Sequence, residues 1–410
     1  MSLNKTPRSS RLHVGIFGRT NVGKSTFLNM VAGQDVSITS KQPGTTTDVV
    51  EKQMELQPLG PLVFFDTGGL DDDSTLAGER IAKARHTLAG VDVAVLVLEP
   101  NSWGDFEEEL LEEFEQHEVP YLLVVNKIDH ESPEPDFQQK LEKKSEQEVI
   151  YVSSLAERGE TDYVDQFKRQ LIEICPEDFL DPPTLIGDLI FPGGLILLVV
   201  PIDLEAPKGR LILPQVQTIR NALDNEAAVL TVKDNGYKEI LERIGVSPEL
   251  VVCDSQSVEL VGNQTPVDIP FTTFSILFAR RKGNLRELIA GAQQLEKLQP
   301  GANVLIAEAC SHHPIEGDIG REKIPAWLNE FVGAKLNYDV YSGRDFPREL
   351  KKYDIIIHCG GCMINRRRML YRLQRARESG TPITNYGLCI ARLHDLLGRA
   401  LEPFEKGVNY

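Results

Sequence analysis

Long apolar runs are scarce in this sequence. The most apolar stretch, Leu195 to Ile202 (LILLVVPI), falls well short of the roughly 20 residues that span a bilayer, so no segment is expected to cross a membrane. The opening MSLNKTPRSSRL is polar and lacks the apolar core and small-residue cleavage site of a signal peptide, which implies residence in the cytoplasm. Cysteine is sparse, six among 410 residues, and a reducing-compartment chain of this size does not use so few as a disulfide framework. Positive charge is in deficit. With 44 Lys+Arg against 61 Asp+Glu the net charge is -17, which opposes broad adhesion to phosphate backbones or anionic lipid, and nucleic acid is not an expected partner. Neither a low-complexity tract nor a fixed-period repeat occurs, so disordered, collagen-like and solenoid readings fall away. What remains is an ordinary globular composition, 41% apolar and 26% charged, on a chain long enough for two or three domains.

Those domains read as α/β units. Strand-like runs HVGIFG, LVFFDT, VDVAVLVLEP, PYLLVVNKID and EVIYVSS alternate with helical stretches up to Cys175, predicting a parallel sheet over residues 1–177. After EDFLDPP breaks the periodicity, a smaller α/β block spans 178–268. Its apolar segments IFPGGLILLVV and AAVLTV are candidates for pairing across a two-fold axis. From 269 to 410 a helix-like run through Leu298 leads into strands at NVLIAEA, KLNYDVYS, YDIIIHC and TPITNY, a second full α/β unit.

The first unit carries a phosphate-binding motif in its required context. Gly18 to Ser25, GRTNVGKS, lies between a strand and a helix-like stretch. Glycines Gly18 and Gly23 let backbone N–H groups close around phosphates, Lys24 reaches the β/γ oxygens, and Ser25, with Thr26 behind it, offers a hydroxyl to Mg²⁺. Downstream stand Thr45 and Thr46 in PGTTTD, Asp66 and Gly69 in DTGG, and Asn126, Lys127 and Asp129 in NKID. A carboxylate at Asp129 accepts from the ring N–H and amino group of guanine, a donor pair adenine does not present, so GTP and GDP are the expected nucleotides. Ser153 and Ser154 follow the strand VIYV and offer a backbone N–H to the guanine oxygen; an ordinary turn is the alternative. Asp66 is expected to hold Mg²⁺ through water, with Thr46 completing its shell. Lys24, Asp66 and Thr46 are thus the candidate catalytic residues.

Through GRTNVGKS, GTTTD, DTGG and NKID the first 175 residues resemble the translation-factor-related GTPases, in the branch that includes Era and the tRNA-modification GTPases. That resemblance implies K⁺ held with the help of Asn21, in place of an arginine finger. Leu70 stands where many GTPases carry a water-orienting glutamine, so slow intrinsic turnover is expected.

The last unit gathers cysteine and histidine in two clusters, Cys310-Ser311-His312 and His358-Cys359-Gly360-Gly361-Cys362, each directly after an apolar strand. In a parallel sheet both reach the carboxyl edge, where ligands of open α/β folds bind. Thiolates suit Zn²⁺ or an iron–sulfur cluster, and three cysteines with a variable fourth position favour a [4Fe-4S] cluster. Glu308, on the strand face of Cys310, is a further candidate for the fourth position, and His313 reads as a surface residue. The arrangement C-x-H…H-C-x-x-C behind a GTPase domain resembles the [FeFe]-hydrogenase maturation GTPases over essentially the whole chain. The resemblance implies a homodimeric scaffold with Cys310, Cys359 and Cys362 as cluster ligands and His312, His358 or Glu308 as candidates for the fourth. It also implies a diiron precursor bearing CO and CN⁻, with radical-SAM maturases and apo-[FeFe]-hydrogenase as partners.

Asn365 to Arg377, NRRRMLYRLQRAR, places arginines on a helix just after Cys362, to be read as a solvated face, a dock for an acidic partner or anionic cluster, or a nucleic-acid contact. The rival functional class, a ribosome- or RNA-associated GTPase with an appended zinc domain, shares every GTPase motif. Neither the acidic balance nor the lack of a KH-like RNA clamp supports it.

Overall fold

A computed structural model describes residues 6–32, 37–38, 50–67, 84–155, 162–202, 211–310, 317–343 and 346–405. The chain forms two compact units, Met1–Pro182 and Pro183–Tyr410.

In the first unit seven strands form one sheet: β1 (Leu12–Phe17), β2 (Ser37–Ile38), β3 (Val50–Leu56), β4 (Gly60–Asp66), β5 (Val93–Leu98), β6 (Tyr121–Val125) and β7 (Ile150–Tyr151), in the order β2-β3-β4-β1-β5-β6-β7. Every residue of β1 and β5 is buried, as a central strand covered on both faces requires. The sheet is not purely parallel as the sequence predicts, because β3 runs antiparallel to β4 and β2 to β3. The sequence VEKQMEL of β3 is polar enough to hide a strand that buries Lys52 and Leu56 and packs Met54 against the core. Helix α1 (Lys24–Ala32) follows β1 and packs Phe27, Leu28 and Val31 into the core.

The second unit holds two four-stranded sheets. One orders β8 (Leu195–Val199), β9 (Ala228–Val232), β10 (Leu250–Cys253) and β11 (Phe271–Thr273) as β11-β10-β8-β9. The other orders β12 (Asn303–Ala307), β13 (Asn337–Tyr341), β14 (Ile355–His358) and β15 (Ile383–Asn385) as β13-β12-β14-β15, and all pairings in both are parallel. Two expectations change here. The segment after Pro270 begins as a strand, not a helix, so the middle sheet closes at Thr273 and a boundary at 268/269 would cut it. Moreover β8 is interior, paired with β10 and β9, so of the two segments offered for two-fold pairing only β9 lies at an edge. One apolar cluster, from Leu185 to Phe404, runs under both sheets.

Three helices of this unit position the cysteines: α2 (Phe274–Lys282), α3 (Arg366–Ser379) and α4 (Tyr386–Leu393). Each starts on a side-chain cap, with Thr273 accepting from Ile276 N–H, Asn365 from Arg368 and Asn385 from Leu388. Among the described residues no helix is long and apolar enough to cross a membrane.

Candidate functional site

In the first unit the motif residues meet at the carboxyl ends of the parallel strands and the start of α1. Gly18 turns the chain out of β1 at φ +136°, and a Cβ there would stand 2.2 Å from the Val97 carbonyl oxygen, so only glycine passes so close to β5. Lys24 is buried and donates to the carbonyls of Gly18 at 2.7 Å and Arg19 at 2.6 Å, spanning the loop. Ser25 Oγ donates to Asp66 Oδ2 at 2.6 Å. The other Asp66 oxygen is buried with no hydrogen-bond partner among the described residues. A buried carboxylate oxygen left unpaired beside a serine hydroxyl is a donor set that fits Mg²⁺.

Asn126 ties the two nucleotide loops together. Its Nδ2 donates to Val22 O at 2.9 Å, while its Oδ1 accepts from Ser154 N–H at 3.1 Å and Ser154 Oγ at 2.7 Å. Lys127, at φ +64°, donates to the Asn21 carbonyl at 2.5 Å and to the Glu99 carboxylate. Asn21 itself is exposed at φ +66°. The Asp129 carboxyl is held below its usual range, first by a hydrogen bond from Ser153. Thr26 sits partly buried in the first turn of α1. Thr45, Thr46, Gly69 and Leu70 lie outside the described residues. The sequence reading missed Glu99, just after β5, and Glu107, buried and accepting from Arg19 Nε and Nη2 at 2.7 Å each; no motif marks either.

In the second unit β12 and β14 are parallel neighbours, with Ala307 opposite His358, so the chain leaves both at one edge and brings Cys310 toward Cys359 and Cys362. None of the three is in a disulfide. Burial pushes the thiols up, Cys310 to about 12 and Cys362 to about 11, and in each case a neighbouring cysteine of the set adds to the shift. Metal ligation takes the thiolate form, so binding a metal here would release these protons. Among the described residues no three of His, Cys, Asp and Glu converge on a single-ion position. Cysteine thiolates are also the ligands of iron–sulfur clusters. For that group the fit is good: Ala309 N–H donates to Cys359 Sγ at 3.1 Å, and Gly361, at φ +65°, turns the chain between the two sulfurs.

Around the thiols the structure corrects the sequence reading. His358 is fully buried, with Nε2 2.8 Å from the Arg372 guanidinium and Nδ1 2.6 Å from Cys359 O. Arg372 can only donate, so Nε2 accepts and Nδ1–H donates. With both ring nitrogens engaged, His358 holds the backbone of a ligand and is not placed as a ligand itself. Glu308 follows β12, is 2% exposed, and pairs with Arg321 at 3.1 Å. His312 and His313 lie outside the described residues. The arginine helix is not a simple solvated face: Arg372 is buried and also donates to Gly343 O at 2.8 Å, Arg366 donates to Arg281 O at 2.9 Å, and Arg375 to Arg348 O at 2.6 Å. Cys175, Cys253 and Cys389 are buried thiols.

One residue the sequence reading overlooked is Lys282, the last of α2. It is 6% exposed and donates to the carbonyls of Gly361 (3.1 Å), Cys362 (3.1 Å) and Ile364 (2.6 Å). Desolvation lowers its pKa to about 8. A lysine ending a helix carries no signal of burial.

Three family models match the chain: a 50S ribosome-binding GTPase over residues 13–127, the hydrogen maturase F dimerization domain over 185–283, and the hydrogen maturase F tetramerization domain over 286–403. GTPase Era of Marinobacter nauticus is 33% identical over 185 residues, 42% of this chain and 60% of that protein. GTPase Era of Xanthomonas oryzae is 40% identical over 131 residues, 32% of this chain and 43% of that protein. The chain thus spans about half the length of these curated relatives. The solved G domain of the T. maritima FeoB iron transporter overlaps 40% of this chain and 98% of its own, at 23% identity and a TM-score of 0.32.

Proposed function

The chain belongs to the hydrogen maturase F family, with an Era-like GTPase domain ahead of that family's dimerization and tetramerization domains, and on that premise we propose that it is a GTP-hydrolysing scaffold of [FeFe]-hydrogenase maturation. It binds GTP and GDP with Mg²⁺ in the first unit and a [4Fe-4S] cluster in the second. A diiron precursor bearing CO and CN⁻, built with radical-SAM maturases, is its cargo, delivered to apo-[FeFe]-hydrogenase. The observation that carries this reading is that the chain leaves β12 and β14 at one sheet edge, with Cys310, Cys359 and Cys362 just beyond it and none in a disulfide, in the stretch matched to the tetramerization domain.

In the first unit Lys24 and the α1 N-terminus bind phosphate, Ser25 and Asp66 hold Mg²⁺ with Thr46, and Asn126, Asp129 and Ser154 read guanine. Without a glutamine at position 70 turnover is slow, and K⁺ beside Asn21 supplies transition-state charge. In the second unit Cys310, Cys359 and Cys362 hold the cluster, and Glu308 or His312 takes the exchangeable fourth position. The cluster supplies an iron with a labile ligand on which another group docks. Residues 185–403 also speak for an oligomer, whose basic unit we take to be a homodimer, working in the cytoplasm. The zinc-bearing, RNA-associated alternative finds no support after residue 185, where both matched families are hydrogen maturase domains.

The test is transfer. Protein loaded anaerobically with its maturases, then mixed with apo-[FeFe]-hydrogenase, is expected to restore hydrogen evolution, and the Cys359→Ala protein is not. Equal activation by both would defeat the scaffold reading.

A further inference from the structure

Beneath the Cys359–Cys362 loop lies a charge that nothing in the nucleotide chemistry uses. Helix α2 runs from Thr273, the last residue of the middle sheet, along the underside of that loop. At its start Ser275 is bound by Asn385 Nδ2, at 2.8 Å to its carbonyl and 3.2 Å to its hydroxyl, and a Cβ on Gly360 would stand 3.4 Å from the same hydroxyl. At its end the Lys282 side chain reaches the carbonyls of Gly361, Cys362 and Ile364. Three carbonyl acceptors match the three protons of an ammonium, whereas a neutral amine has only two to give. The charge also sits 5.4 Å from the centre of the Phe278 ring, and no carboxylate forms an ion pair with it among the described residues.

Burying an ammonium that has carbonyl partners but no counter-charge is still unfavourable, and an anionic group nearby offsets it. Three thiolates on a cluster are such a group.

We propose that Lys282 is a positioning residue of the cysteine site, presetting the Cys359–Cys362 loop through its three carbonyls and supplying the counter-charge to an anionic iron–sulfur cluster held there. This rests on the cluster reading above. Because a reduced cluster carries one more negative charge than an oxidised one, a buried cation beside it favours reduction; removing the cation lowers the reduction potential.

The test uses full-length wild type, Lys282→Met, Lys282→Gln and Lys282→Arg, each reconstituted anaerobically with ferrous iron and sulfide. Readouts are iron per chain, thermal melting and the midpoint potential from an EPR-monitored titration. The Met and Gln proteins are expected to reduce at lower potential than wild type, and the Arg protein to stay near it. If Lys282→Met does not fold, Lys282→Gln, which keeps a donor for the loop carbonyls, carries the same comparison. Neutral variants holding full iron at an unmoved potential overturn the inference and leave the cluster reading standing. A wild type that takes up no iron removes the cluster reading, and the inference with it.

Discussion

Replacing Asn126 by alanine should uncouple the two loops that hold the nucleotide. The amide makes three hydrogen bonds, one to the buried Val22 carbonyl and two from Ser154. An unsatisfied buried carbonyl costs about 1–3 kcal/mol, and the two partly exposed bonds from Ser154 are worth about 0.5–1.5 kcal/mol each, less what water recovers. Summed conservatively, the nucleotide-competent arrangement loses about 2–4 kcal/mol, which is roughly a 30- to 1,000-fold fall in GTP affinity at 1.4 kcal/mol per decade. Titration with a fluorescent GTP analogue measures it, and a thermal melt of the same samples checks that the unit stays folded. Ser154→Ala is the graded control, since it deletes the hydroxyl and keeps the backbone N–H. It should lose about 1 kcal/mol or less, under about tenfold. An Asn126→Ala protein that binds within twofold of wild type would refute the coupling.

Two further expectations follow from the separate placement of the sites. Lys24 belongs to the unit Met1–Pro182 and the three cysteines to Pro183–Tyr410, so Lys24→Ala should abolish GTP hydrolysis while leaving iron uptake on reconstitution unchanged; loss of iron in that protein would contradict the division. Hydrolysis should be faster in K⁺ than in Na⁺ at equal ionic strength, and equal rates would remove the role given to Asn21.

Much of the fold is legible because buried parallel strands read as apolar runs. VAVLVL, LILLV and IIIH stand out from their surroundings, and each is a strand with nearly every residue buried. What escapes is structure made by polar or very short segments. The strand Val50–Leu56 is polar, with Lys52 among its buried residues, and Phe271–Thr273 is three residues long against a helix that starts at once. The sites divide similarly. Phosphate loops and C-x-x-C spacings are local, so their residues are visible in order along the chain. Lys282, Arg372 and Glu107 act over separations of 80, 14 and 88 residues, and their side-chain types are ordinarily solvent-exposed. His358 shows the opposite error. Its place beside Cys359 suggests a ligand, but the fold spends both its nitrogens on Arg372 and a backbone carbonyl.

The most direct test of the central claim is iron content with EPR of the dithionite-reduced protein after anaerobic reconstitution, wild type beside Cys359→Ala. The account predicts about four irons per chain and a reduced [4Fe-4S] signal in wild type, both lost in Cys359→Ala with GTP hydrolysis intact. Tightly bound zinc with no iron signal, or a full cluster signal in Cys359→Ala, would contradict it.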